Sequence, residues 1–228
     1  DRNPVPRSLG ARHARPDGRG HGGRRGAPLV RAPRKLPRVL APAEVNALTG
    51  ALRTDRDRAM VALMVHGGLR RCEVLGLRFE HVQVGDRRVF VADGKGGHQR
   101  LVPVADAFFT TLAAYLSSER PTEAIDDHVF VVLKGPNRGR PLTAAGLDEV
   151  MAGARGRAGL THASCHELRH TCFTRLREAG MALEAIQAQA GHASIETTRV
   201  YLHLSNDWLA GEYQRAMAIL DGLHEEEP

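Results

Sequence analysis

Six side chains in four short segments could act together on a phosphodiester. Arg70 lies in GGLRRCEVLGLR, Lys95 in DGKGGHQRLVPV, His166 and Arg169 in HELRH, and His192 and Tyr201 in AGHASIETTRVYLHL. Arginines can grip non-bridging oxygens in pairs and stabilise the added charge of a pentacoordinate transition state. A phenol is a nucleophile once a neighbouring base or field draws off a proton whose ordinary pKa is about 10. A lysine in a phosphate-rich cleft can protonate the departing sugar oxygen. The set is that of a metal-free transesterification, and no acidic cluster suited to Mg²⁺ accompanies it.

Each segment also has an ordinary reading. Arg70 follows a double glycine at a helix–helix corner, where it faces either a cleft or solvent. Glu73, three residues on, either holds that guanidinium or is simply solvated. Lys95 sits among glycines at a hairpin tip, as many exposed lysines do. Tyr201 could be a packing residue of an amphipathic helix. Read literally, HELRH is the HExxH signature of zinc peptidases, with His166 and His170 as ligands and Glu167 as base. Against zinc, Arg169 would put a fixed positive charge beside the dication. Phe173 also stands where the longer zinc signature requires glycine. Glu184 or Glu196 would have to supply a third ligand, and no metal is expected.

These groups must be carried by a fold that 228 residues and 42% hydrophobic content can support. No apolar run approaches the ~18 residues of a membrane span, and three cysteines without CxxC spacing do not make a disulfide scaffold. The expectation is a soluble protein of the cytoplasm, associated with the nucleoid and not with a membrane. The net charge of +6 is unevenly placed: residues 1–40 hold eleven basic against two acidic residues, so 41–228 carry −3. Any polyanion-binding face on the later part must therefore be local. Lysine is scarce, with only Lys35, Lys95 and Lys134 among 32 basic residues, which singles out each one.

Residues 1–40, rich in Arg, Gly and Pro, lack hydrophobic periodicity and are expected to be a flexible basic segment, able to lie along phosphates. From 41 to 228 the pattern is mainly helical. APAEVNALTGAL opens a helix with Pro42 in its first turn, and TDRDRAMVALMVHGG carries an apolar stripe that stops at Gly67-Gly68. RRCEVLGL starts another helix. HVQVG, RRVFVAD and QRLVPVA then alternate as strands joined by tight turns, with a further strand-like stretch at 128–133. DAFFTTLAAYLSSE, TAAGLDEVMAGARGRA, CHELRHTCFTRLREAG, ALEAIQAQA and SIETTRVYLHL read as helices, as does a terminal helix over 206–223. The predicted class is mainly α with a small antiparallel β-sheet (α+β).

Four motifs in this order resemble the catalytic domain of the tyrosine recombinase (phage integrase) family, over about Leu36 to Leu223. GGLRRCEVLGLR resembles its first arginine box, GKGGHQRLVPV its lysine hairpin, HELRHTCFT its second box and AGHASIETTRVY its terminal box. The resemblance implies the DNA breaking–rejoining catalytic fold, double-stranded DNA as partner and no cofactor. It implies that Arg70 and Arg169 clamp the scissile phosphate and that Lys95 protonates the 5′-oxygen. His166 would serve as acid/base, His192 would hydrogen-bond the phosphate, and Tyr201 would form a 3′-phosphotyrosyl link. Glu73 matches the acidic position that supports the first arginine, and Arg71, Arg100 and Arg199 are expected to contact DNA. Because the intermediate keeps the bond energy, strand exchange would need no ATP.

The sequence departs from the family pattern at Gly67, Arg71 and Ala190, all packing-level positions. Family members usually carry an N-terminal helical domain, and DRNPVPR resembles the end of one, so a fragment, a truncated element or a reduced relative is expected. Tyr115 and Tyr213 read as packing residues. The terminal helix, with Trp208, Leu209, Ala216 and Leu220 along one stripe, would dock on its own domain or, as in the family, insert into a neighbour within a DNA-bound tetramer. A type IB topoisomerase, a zinc peptidase built on HELRH and a non-catalytic DNA-binding remnant are the competing readings.

Overall fold

The computed structural model describes residues 38–92, 99–124, 126–191 and 206–225. All of them lie in one unit, 36–228. Helix α1 (Pro42–Gly50) begins at the expected proline, and the Glu44 carboxylate accepts the Ala41 N–H at 2.9 Å. Thr54 caps α2 (Asp55–Val65) by accepting the Asp57 N–H. The apolar stripe expected for α2 is in fact a full circumference, because every residue from Ala59 to Val65 is buried. A helix apolar all round belongs at the centre of a domain, and α2 packs against α4 (Asp106–Ser118) and α6 (Cys165–Glu178).

The short α3 (Arg71–Leu75) leads through a 3₁₀ turn at Phe79–His81 into a three-stranded antiparallel sheet in the order β1–β2–β3. Strand β1 is Val82–Gln83, β2 is Arg88–Val91 and β3 is Arg100–Pro103. Val89 lies opposite Val102, and Val91 opposite Arg100. The strand-like stretch at 128–133 does not form a strand. Val129, Phe130 and Val131 are fully buried, yet the backbone here divides between two partners: Val129 N donates to Leu77 O, while Phe130 and Val132 pair with the segment 139–142. Only isolated bridges result, Arg78 with His128 and Val131 with Pro141. The apolar run is buried as its composition demands, but its pairing changes partner after Val129 and each stretch is too short to make a ladder.

Helices α5 (Ala144–Arg157), α6, α7 (Leu183–Ala190) and α8 (Asn206–Glu225) complete the described fold. A main core surrounds α2, and a second cluster joins α6, α7 and α8 through Cys172, Leu176, Ile186, Leu209, Tyr213 and Met217. Both tyrosines expected to pack are fully buried. The Tyr115 hydroxyl donates to the Val129 carbonyl at 3.1 Å, and that of Tyr213 to the His66 carbonyl at 2.8 Å. In this single chain α8 thus docks on its own domain.

Candidate active site

Two sharp turns face each other across the site. The first ends α2: Gly68 has φ +67°, and a Cβ there would lie 2.5 Å from the Phe173 ring. Glycine is required on both counts. The second ends α7, where Gly191 takes a left-handed conformation at φ 60°, ψ 49°. A helix C-terminus presents carbonyls without intrahelical partners at the negative end of its dipole. Here three arginines take them. Arg100 Nε donates to Gln189 O at 2.8 Å, Arg169 Nη2 to Ala190 O at 2.8 Å, and Arg70 Nη2 to Gly191 O at 3.3 Å. Arg169 Nη1 also donates to Gly68 O, so one planar guanidinium joins the two turns.

Beneath the arginines lies one carboxylate, the fully buried Glu73 side chain. Its Oε1 accepts from Arg70 Nη1 at 2.8 Å and Arg100 Nη1 at 3.0 Å. Its Oε2 accepts from Arg100 Nη2 at 2.9 Å and the Arg70 backbone N–H at 2.8 Å. Arg169 Nη1 stands 3.9 Å from Oε2. Burial alone would push the Glu73 carboxyl up, but hydrogen bonds and attraction from Arg100 and then Arg70 more than offset it, and its pKa is lowered. Arg169 is the counterpart. Burial first, then repulsion from Arg70, bring its guanidinium below the ordinary arginine value to about 10, still charged near neutrality. Its guanidinium carbon lies 4.8 Å from the centroid of the Phe173 ring. Three cations around one carboxylate leave two positive charges over. The Arg70 side chain is the most open of the three, 20% exposed against 9% for Arg100 and Arg169. Such a site can hold an anion at the Arg70 rim, with charge-assisted bonds in a partly desolvated setting.

Of the residues singled out by sequence, the structure brings together Arg70, Glu73, Arg100 and Arg169. His166 is exposed in the first turn of α6, and His170, one turn further on, is half-buried. Glu167 is engaged at its own helix start. Its carboxylate accepts the Ser164 N–H at 2.7 Å while Ser164 Oγ accepts the Glu167 N–H at 3.2 Å, a capping box rather than a base facing a metal. Arg71 is exposed and paired with Asp148 of α5 at 2.7 Å. Arg100, expected at a DNA-facing surface, instead lies inside with all three guanidinium nitrogens bonded to Glu73 and Gln189. Lys95, His192, Arg199 and Tyr201 lie outside the described residues.

Gln189 belongs to the site without being part of any motif. It is fully buried, its Nε2 donates to Gly67 O at 3.2 Å, and its Oε1 meets no partner among the described residues. A polar residue on the apolar face of a helix, just before a glycine stop, is the signal that could have found it. Among the described residues no helix is long and apolar enough to cross a membrane.

A mainly α domain with a three-stranded antiparallel sheet, closing arginines from three elements over one buried acid, defines a DNA breaking–rejoining catalytic fold. The chain belongs to the phage integrase family, whose sequence profile matches residues 38–207. It is 33% identical over 186 residues to the tyrosine recombinase XerD of Neisseria meningitidis, a match covering 78% of this chain and 62% of that one. The integrase from mycobacterium phage Brujita superposes with a TM-score of 0.64 at 28% identity, covering 81% of this chain and 60% of that one. XerH recombinase, bound to palindromic difH substrate in a post-cleavage complex, gives 0.59 at 25% identity, covering 78% of this chain and 52% of that one. The chain spans about three fifths of the length of the curated relatives it matches.

Proposed function

We propose that this chain carries the catalytic centre of a site-specific DNA recombinase or integrase, which cuts and rejoins double-stranded DNA through a 3′-phosphotyrosyl intermediate. The observation that carries the reading is the arginine cluster: three guanidinium groups over one carboxylate, two positive charges in excess, with Arg70 at the open rim. That excess suits a phosphodiester, whose charge grows at the pentacoordinate transition state. Arg70 and Arg169 hold the non-bridging oxygens, with Glu73 and Arg100 fixing them from below. Tyr201 Oη loses its proton to a neighbouring base and attacks phosphorus. The Oη–P bond forms, the P–O5′ bond breaks, and Lys95 protonates the leaving oxygen. His166 serves as acid/base and His192 hydrogen-bonds the phosphate. Rejoining is the reverse, with a 5′-hydroxyl attacking the phosphotyrosine, so the retained bond energy makes ATP unnecessary. The working form on DNA is a tetramer coupled through exchange of α8, and the protein acts in the cytoplasm on nucleoid DNA.

The test is a nicked duplex from which the 5′-hydroxyl strand diffuses away after cleavage. A covalent protein–DNA adduct that survives denaturation, forms in EDTA and is lost in Tyr201→Phe is the expected result. Duplex binding without any adduct would overturn the catalytic reading and leave a DNA-binding remnant.

A further inference from the structure

A cleft of about 760 Å³ opens between the start of α2, the segment 132–143 and one side of α5. Four cations border it: Arg53, Lys134, Arg140 and Arg157. The Arg56–Asp57 pair at its base, 2.6 Å apart, is neutral overall. Against the four stands the carboxylate of Glu149, an excess of three positive charges in a part of the chain whose net charge is −3. Arg157 is engaged with the Ala51 carbonyl at 2.9 Å. Arg53, Lys134 and Arg140 are exposed, and their side chains make no hydrogen bond or ion pair with any other described residue. Other exposed arginines among the described residues have partners, as Arg71 has Asp148, Arg138 has Glu123 and Arg177 has the Met181 carbonyl. Three cations around one cleft without a partner among the described residues are therefore not what the composition alone would produce.

The backbone under two of them is fixed. Val132 N donates to Arg140 O at 2.9 Å, Gly139 N to Val132 O at 2.8 Å, and Arg140 N to Asn137 O at 3.0 Å. Lys134 and Arg140 thus ride on a closed hairpin, which lowers the entropy lost when they meet a ligand. The cleft lies on the opposite side of α5 from Asp148, the residue that reaches Arg71 beside the arginine cluster. A helix with its side chains is about 10–12 Å across. Duplex DNA carries one negative charge per ~1.7 Å of axis, so roughly six charges pass over that width. The two places are thus separated by about one helix width, a short span on the scale of a duplex.

We propose that Arg53, Lys134 and Arg140 form a second phosphate-contact patch for duplex DNA, positioning the backbone beside the reactive phosphate without taking part in the chemistry. The inference rests on the DNA-processing reading of the arginine cluster. Its test replaces all three by alanine in the full chain and follows binding to a fluorescently labelled duplex by anisotropy across a salt series. Each lost phosphate contact lowers the slope of log K against log salt by about 0.9, so the triple variant should fall by roughly 2–3. Adduct formation at saturating DNA should stay within about twofold of the unaltered chain, because Arg70, Glu73 and Arg169 are untouched. An unchanged slope would overturn the proposal, and so would a cleft that takes up inorganic phosphate while the slope stays put. Lys134→Gln alone, with an expected drop near 0.9, serves the same purpose should the triple variant unfold. If the unaltered chain forms no adduct yet the slopes differ, the catalytic reading fails and the patch stands.

Discussion

Arg100 and Glu73 form a two-pronged ion pair, 3.0 and 2.9 Å, in which the carboxylate is entirely closed to solvent and the guanidinium nearly so. It joins β3 to α3 and makes Glu73 the shared counter-charge of three arginines. Removing one partner of a buried ionic group costs about 3–5 kcal/mol, because the remaining charges are left uncompensated. Glu73→Gln should cost that much in urea denaturation. The acid limb follows with a definite sign. The Glu73 carboxyl lies below its ordinary 4.5 in the folded chain. Its contribution is therefore complete above 4.5 and is lost as pH falls through the lower folded value. The unaltered chain should lose stability over that window more steeply than Glu73→Gln, and parallel acid limbs would contradict the pairing.

The depressed Arg169 gives the opposite sign. Its pKa of about 10 lies below the ordinary arginine value of the unfolded chain, so holding it charged opposes folding at all pH below 10. That penalty shrinks only as pH climbs from there toward the ordinary arginine value. Near neutrality an anion bound at the cluster relieves it instead. Sulfate at about ten times its dissociation constant adds about 1.4 kcal/mol, which for a domain of this size raises Tm by roughly 3–5 °C. Chloride at equal ionic strength should not match it, and the difference should vanish in an Arg70→Ala, Arg169→Ala double variant. Scanning calorimetry in the two salts decides the matter.

Arg100 also marks the border of what the sequence makes legible. It alternates with Val102 and Val104, both fully buried, so the two-residue strand period puts it on the core side rather than toward DNA. A charge on that face calls for a buried partner, and Glu73 is the acid that the first arginine box supplies. The helices and strands among the described residues are readable because each has its own cap, stripe or alternation, while the helix expected from SIETTRVYLHL and the hairpin tip around Lys95 lie outside them. The stretch at 128–133 is not, since whether an apolar run forms a strand depends on what lies beside it. The convergence of Gln189, Ala190 and Gly191 on three arginines is invisible for another reason. Backbone carbonyls carry no residue signature, and only the fold shows which helix end points inward.

Gly68 and Phe173 offer a packing test of how the cluster is held. A Cβ on Gly68 would fall 2.5–2.7 Å from the ring atoms of Phe173, at φ +67°. The left-handed backbone costs an L-residue about 1–2 kcal/mol, and overpacking adds about 1–3. Gly68→Ala should therefore cost roughly 2–5 kcal/mol. Phe173 also lies against Arg169, so the displaced ring disturbs that guanidinium as well. Phe173→Leu in the Gly68→Ala background should recover the overpacking part and leave the backbone part, giving a double-mutant coupling of about 1–3 kcal/mol. Strict additivity would show that the ring gives way freely.

Lys95 is the acid in the proposed chemistry, and its role can be separated from mere phosphate binding. If it protonates the 5′-oxygen, Lys95→Ala should slow adduct formation by about 10²–10⁴-fold on an ordinary substrate, the usual range for general acid catalysis. It should do so with little change in duplex affinity. Replacing the 5′-bridging oxygen by sulfur removes the need for that proton, because a thiolate is far the better leaving group. On that substrate Lys95→Ala should cleave within a few-fold of the unaltered chain. Arg169→Ala, which loses transition-state stabilisation rather than a proton, should remain slow on both. Rescue of Arg169→Ala along with Lys95→Ala would mean that the sulfur has only lowered the barrier generally. No rescue of Lys95→Ala would leave the lysine as a phosphate contact, and the leaving-group proton would have to come from another group in the site.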